Sequence, residues 1–247
     1  MRYNFRKSNK EALMPSSNFE LQSHDVLQLR AKTVLEPEHI RSRLGELSPH
    51  LSAQLVSNAI VSGLSARNDT TRASAVTAPG LQQWLKTVET LRLLLSESLW
   101  HIHDEFNCPF ISSPDRSVSI VVMTGCSETG KIGFQDPTNQ AEKGAVVKDF
   151  VLANRQAELC FHDAVKAARA ERSDTQVWVL LYHYDKGSNE VRFELSYPTK
   201  FDRKKIVQWG ERIIFGGISN DPNGFTIVQD IPNSPATVEV EPKTGTY

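Results

Sequence analysis

The feature that most constrains the fold is a pair of strand patterns in the second half of the chain. Residues 177–185 read VWVLLYHYD and residues 190–198 read EVRFELSYP, with the polar segment KGSN between them. A short polar connection between two runs rich in β-branched and aromatic residues predicts an antiparallel hairpin. The first run is apolar on both faces and therefore indicates a central strand, whereas the second alternates and predicts one covered face.

Helical patterns dominate the residues before this hairpin. Apolar residues recur every three or four positions after Glu36-Pro37 and again after Ser48-Pro49, which predicts two short helices. The same spacing over residues 81–104 predicts one long amphipathic helix, and the spacing over 141–172 predicts a second long helix. The remaining predicted elements are a strand at 118–123, a short helix at 203–209 and a strand at 212–215.

These elements predict an α+β fold. In it, a helical N-terminal half and the second long helix pack on a small, mainly antiparallel sheet, because the elements do not alternate as they do in a doubly wound fold. The predicted organisation is a helical segment at 1–64, a polar connector at 65–80, an α+β core at 81–218 and a tail rich in proline and asparagine at 219–247.

Charge and cysteine content exclude several classes of protein for this chain. The chain of 247 residues carries 28 Lys+Arg and 29 Asp+Glu, so its net charge provides no general attraction for nucleic acid or an anionic membrane. No apolar run approaches the ~20 residues that a membrane-spanning helix needs. The three cysteines are widely spaced and odd in number, which favours reduced thiols over a disulfide framework. We therefore expect a cytoplasmic protein that does not bind membranes.

A glycine-containing segment after the strand at 118–123 resembles a phosphate-binding loop in its spacing. Gly125 is followed after four residues by Gly130 and Lys131, as in a P-loop, and these three residues are the nucleotide-binding candidates. The position that should supply a hydroxyl to Mg²⁺ is Ile132, however, and Gly133 interrupts any helix that would start here. We therefore favour an ordinary connecting loop, and we expect no cofactor.

Titratable residues suggest a catalytic hypothesis. The segment HIHDEFNC at 101–108 is the densest cluster of metal-ligating types, but it contains no spacing typical of a metal site, and we predict no metal. Complete signatures of hydrolases, metalloproteases and kinases are absent from the sequence. A divalent-metal-dependent hydrolase acting on phosphodiesters or nucleotides remains the alternative function, with His101, Asp163, Asp185 and Glu194 as its catalytic candidates.

The hypothesis that we favour is a non-catalytic interaction or regulatory protein, of the kind found in mobile genetic elements and host defence. Its polar connector is rich in hydrogen-bond donors, and aromatic residues cluster near the hairpin, as interface hot spots do. The alternative interpretation of the connector is a solvated linker, and that of the aromatic residues is the core of the sheet. We expect a protein partner, with nucleic acid as the second choice. The partner-binding candidates are Arg67, Asp69, Arg72, Tyr184 and Trp209.

Overall fold

The computed structural model describes residues 31–160, 175–221 and 224–228. The predicted C-terminal tail beyond residue 228 and the end of the second long helix lie outside the described residues. Within them the chain forms four helices, α1 (Pro37–Leu47), α2 (Ala53–Asn68), α3 (Ala78–Ser96) and α4 (Ala145–Cys160). It also forms eight strands, β1 (Lys32–Val34), β2 (His101–Glu105), β3 (Cys108–Ser112), β4 (Val118–Thr124), β5 (Gln176–Asp185), β6 (Glu190–Asp202), β7 (Lys205–Asp221) and β8 (Gly224–Val228).

All eight described strands belong to one mixed sheet, so the chain has an α+β fold. The order is β1-β7-β6-β5-β4-β3-β2, and β8 pairs with the end of β7. The pairs β4–β5 and β1–β7 are parallel, and the other pairs are antiparallel. Helix α4 connects the parallel strands β4 and β5. The predicted hairpin is present as β5–β6 at the centre of a sheet larger than the small one expected.

The sheet carries helices on both faces. Strand β4 shows the separation, because Ile120 and Val122 pack with core residues of α1–α3, whereas Val121 and Met123 pack with core residues of α4. Side chains from the helices also bond to strand backbones. The indole of Trp84 in α3 donates to the carbonyl of Val122 over 3.1 Å. The amide of Asn154 in α4 exchanges two hydrogen bonds with the backbone of Val177.

Two predicted helical segments form hairpins instead. The long helix ends at Ser96, so residues 101–108 form β2, a turn and the start of β3. The segment expected as a helix at 203–209 is a turn followed by β7. Both turns consist of two residues with positive φ, Phe106-Asn107 and Arg203-Lys204. Hairpins of this type normally show Asn-Gly or Asp-Gly, and neither sequence does.

The helices also differ in detail from their predictions. Helix α2 does not start directly after Ser48-Pro49 but at Ala53, and it is capped by Ser52, whose side chain accepts from the N–H of Leu55. It continues past Gly63 to Asn68 and so takes in the first part of the predicted connector, and α4 begins only at Ala145. None of the described helices is long and apolar enough to cross a membrane.

Close packing of α2 against α3 predicts the effect of filling one glycine position. A Cβ at Gly63 would overlap the hydroxyl of Thr87 and would lie 2.7 Å from the carbonyl oxygen of Gln83. We expect Gly63→Ala to lower the free energy of unfolding of the full chain by about 1–3 kcal/mol, measured by urea denaturation. Gly45→Ala in α1 is the matched control, since a Cβ there meets nothing within 4 Å. It should leave stability unchanged or raise it by ~0.5–1 kcal/mol. Equal effects of the two substitutions would contradict this packing.

Candidate interaction surface

The glycine segment after β4 lies against β6 and is held there through its backbone. The N–H of Gly130 donates to Oε2 of Glu194 over 2.9 Å. Arg192 donates to the carbonyls of Ser127 and Thr129, and Arg212 donates to the carbonyl of Lys131. A phosphate-binding loop directs backbone N–H groups at its ligand, and here the N–H of Gly130 is bound to a carboxylate of the sheet instead.

This arrangement differs from a P-loop in two ways. No helix follows Lys131 directly, since α4 starts only at Ala145 and cannot direct its N-terminus at a phosphate held by the glycines. Gly130 has a φ of 71°, and a Cβ on it would lie 2.7 Å from the Cβ of Arg192. Glycine is needed here for close approach to β6. The packing of the loop on the sheet thus accounts for Gly130, and the carbonyl of Lys131 takes part in the same packing by accepting from Arg212.

A buried ion pair between β6 and β7 fixes the loop. Glu194 is 0% exposed and accepts from Arg212 over 2.6 and 3.0 Å. The hydroxyl of Ser196 donates to its Oε1 over 2.8 Å. Removing two charges from water is costly, and it is offset here because both carboxylate oxygens accept hydrogen bonds. The carboxylate of Glu194 is committed to this network.

The three catalytic candidates that the structure describes, His101, Asp185 and Glu194, do not form one cleft. Asp185, at the end of β5, accepts from the N–H of Gly187 and from Arg192, and these contacts lower the pKa of its carboxyl group. His101 is exposed on the edge strand β2, with β3 and β4 between it and β5. Asp163 lies outside the described residues. In the described part of the chain no three His, Cys, Asp or Glu side chains are grouped as metal ligands would be.

Two of the five partner-binding candidates are in contact. The guanidinium of Arg67, in the last turn of α2, lies 3.8 Å from the ring centroid of Tyr184 on β5. Asp69 and Arg72 are exposed on the connector between α2 and α3. Trp209 is a core residue instead, 1% exposed, and its indole donates to the carbonyl of Pro137 over 2.8 Å.

Polar side chains fix the end of α2 against the β5–β6 hairpin. Asn68 donates to Asn220 on β7 over 2.7 Å, and Asn189 donates to the backbone carbonyl of Asn220 over 2.7 Å. The hydroxyl of Tyr184 donates to Asn189 over 2.7 Å. We call this region the α2-end surface. It comprises Arg67, Asn68, Asp69, Arg72, Tyr184 and Asn189.

Two buried polar side chains lie beneath this surface. Arg67 donates to Oε1 of Gln83 over 3.4 Å, but Nε2 of Gln83 has no hydrogen-bond partner among the described residues. The hydroxyl of Tyr182 also lacks one within the described part of the chain, and burial raises the pKa of this phenol. Unpaired buried donors destabilise a fold. Contacts other than these hydrogen bonds must therefore stabilise the packing around Arg67.

Exposed apolar residues occur where the sequence predicted a buried helical stripe. The predicted stripe consists of Leu81, Trp84, Leu85, Val88, Leu91, Leu95, Leu99 and Ile102. Leu91 and Leu95 of this stripe are buried in α3, as predicted, and the other buried positions of the helix are Gln83 and Thr87. An apolar pattern misses Gln83 and Thr87 because they are polar. The exposed large apolar side chains on α3 and around β2 are Leu81, Leu85, Leu93, Leu99, Ile102 and Phe106.

Comparisons with known protein families, with curated proteins and with solved structures find no match to this chain.

The buried ion pair predicts that the carboxylate of Glu194 is needed to hold the loop after β4 in place. Glu194→Gln removes the buried counter-charge of Arg212 and leaves it only the longer ion pair with Asp136 at 3.7 Å, so we expect about 3–5 kcal/mol of stability to be lost in urea denaturation. The amide of Gly130 should also exchange with deuterium faster. Glu89→Gln is the control, since Glu89 pairs with Lys86 over 3.0 Å on an exposed face and should cost below ~1 kcal/mol. A Glu194→Gln variant as stable as the control, with unchanged exchange at Gly130, would contradict this assignment.

Cys108 provides a prediction about reactivity. Burial raises the pKa of its thiol to about 11, and the charge of Lys143 opposes this shift. Because only the thiolate reacts, alkylation of Cys108 should accelerate about tenfold per pH unit from pH 7 to 10. Mass spectrometry of the peptide containing Cys108 measures the rate. Lys143→Ala should slow alkylation further at every pH, whereas a rate that levels off near pH 8 would show that the thiol is not shielded.

Proposed function

We propose that this chain is a non-catalytic, regulatory interaction protein of the cytoplasm and that it binds a protein partner through the α2-end surface. The observation that carries the proposal is the stacking of Arg67 on Tyr184 at 3.8 Å beside an exposed connector. Arginine and tyrosine are among the residue types enriched at the centres of protein interfaces, where a few side chains supply most of the binding free energy.

The geometry of the pair supports this proposal. Arg67 is held by Gln83 as well as by the ring, and the hydroxyl of Tyr184 is held by Asn189. Side chains fixed before binding lose less conformational entropy when a partner orders them. Binding to this pair would therefore cost less side-chain entropy than binding to surface residues that rotate freely.

The connector adds charge of both signs. Asp69 and Arg72 are exposed next to the pair, and arginine and aspartate side chains at the rim of an interface select partners with complementary charge. Nucleic acid fits this surface less well than protein does, because Asp69 would face the phosphate backbone.

The contacts of the carboxylates argue against the hydrolase alternative. A metal-dependent hydrolase needs carboxylates that are free to bind a cation. Glu194 and Asp185 each accept hydrogen bonds from arginine side chains, Arg212 and Arg192 respectively. The charges that catalysis would use therefore stabilise the fold in this chain.

We expect that substitution of either of two arginines releases the partner. The tagged full chain is crosslinked in its own cells, purified and quantified by mass spectrometry, as wild type, Arg67→Ala and Arg72→Glu. Loss of a hot-spot side chain should reduce recovery of a stoichiometric protein partner by about tenfold or more. Arg41→Glu is the control, because Arg41 is exposed on α1 and its ion pair is with Glu38, one turn away.

Thermal unfolding of each variant shows that the fold is retained. Equal recovery of the partner with all variants would overturn the α2-end surface as the binding site. Metal-dependent hydrolysis of a nucleotide or phosphodiester by the purified chain, abolished in Asp185→Asn, would replace the proposal by the hydrolase alternative.

A further inference from the structure

Strand β2 is the end strand of the sheet that the described residues form, and all five of its residues are exposed. The turn Phe106-Asn107 joins the paired residues Glu105 and Cys108, so Glu105, His103 and His101 exchange backbone hydrogen bonds with β3. The alternate residues, Ile102 and Asp104, therefore direct their N–H and C=O groups away from the sheet. Such an edge can accept another strand.

We propose that β2 pairs with β2 of a second copy of this chain, antiparallel and centred on His103, so that the sheet continues through a two-fold axis. In this register Ile102 lies opposite Asp104 of the second copy. Both residues have outward backbone groups, so the two symmetric pairs supply four backbone hydrogen bonds. A shift of the register by one residue would place inward-facing groups at the junction and lose these bonds.

Charge complementarity identifies the second copy as the occupant. The centred register places His101 of each chain opposite Glu105 of the other, so that an imidazole and a carboxylate, and not two carboxylates, meet across the junction. On the other face of the strand, Asp104 is already bonded to Arg92 of α3. His103 lies at the axis with its ring stacked on Phe110 at 5.2 Å.

Apolar residues at the two ends of β2 fit the same register. Leu99 is 76% exposed and Phe106 is 87% exposed, and both have positive φ, which is unfavourable for bulky residues. The two-residue turn requires the positive φ of Phe106, but it does not require a large apolar side chain at this position. The register places Phe106 of one chain opposite Trp100 of the other and next to its Leu99. Dimer formation would bury both exposed side chains.

Edge strands that avoid association carry features that β2 lacks. Lysine and proline are the usual protection of an exposed edge, and neither occurs between His101 and Glu105. In the centred register no two carboxylates of β2 lie opposite each other, because Asp104 faces Ile102 and Glu105 faces His101 of the second copy. This inference is independent of the α2-end surface, which lies elsewhere on the sheet.

A charge exchange tests the partner and the register together. The full chain should sediment as a dimer in analytical ultracentrifugation. His101→Glu places two glutamates opposite each other at each pair and should raise the dimer dissociation constant by about 30-fold. The double variant His101→Glu with Glu105→Lys restores opposite charges and should recover most of the affinity. Recovery requires that these two positions face each other across the axis, so a folding defect in the single variant cannot imitate it.

A backbone substitution tests the hydrogen bonds. Ile102→Pro removes an N–H that faces away from β3, so it should leave the fold intact and abolish the dimer. Ile102→Thr is the matched control, since it keeps the N–H and a β-branched side chain, and it should remain largely dimeric. A wild-type chain that is monomeric at about 100 µM would overturn the proposal, and so would a dimer that Ile102→Pro and His101→Glu leave unchanged.

Discussion

The ion pair between Glu194 and Arg212 determines how the centre of this protein is organised. It joins β6 to β7, and through the N–H of Gly130 and the carbonyl of Lys131 it also holds the loop that follows β4. A buried carboxylate is stable only when all of its hydrogen-bonding capacity is used. The backbone of the loop therefore helps to satisfy the buried charges of the core. Arg192 extends the same arrangement to the hairpin tip through Asp185 and Glu190.

This network explains why a loop with the spacing of a phosphate-binding segment has another role. In both cases glycines let backbone N–H groups approach an anion. Here the anion that Gly130 meets is a carboxylate of the chain itself. Sequence spacing alone cannot distinguish the two cases, because the glutamate lies far along the chain on a strand whose pairing is unknown until the sheet is assembled. The absence of a hydroxyl at Ile132 was the signal in the sequence that favoured the structural role.

Elements with strong periodicity could be predicted from the sequence, and elements defined by their turns could not. The central hairpin β5–β6, the two short helices and most of α3 follow from residue patterns. The β2–β3 hairpin was predicted as the end of a helix, because Leu99 and Ile102 continue the helical spacing and Phe106-Asn107 lacks the usual turn residues. The same physical reason applies to β7, which begins after Arg203-Lys204. Of the α2-end surface, the residue types could be predicted, but the contact between Arg67 and Tyr184 depends on how α2 packs across the sheet.

The distribution of charge separates the inside of this protein from its surfaces. In the described part of the sheet, Glu194, Asp185 and Glu211 all accept hydrogen bonds from arginine side chains. On the α2-end surface and along β2, by contrast, charged and apolar side chains are exposed without a structural function that accounts for all of them. Exposed aromatic and aliphatic residues cost solubility, and association is the simplest way to offset that cost. Buried charges that stabilise the fold, together with apolar residues at a sheet edge, therefore support the proposal that this protein acts by binding.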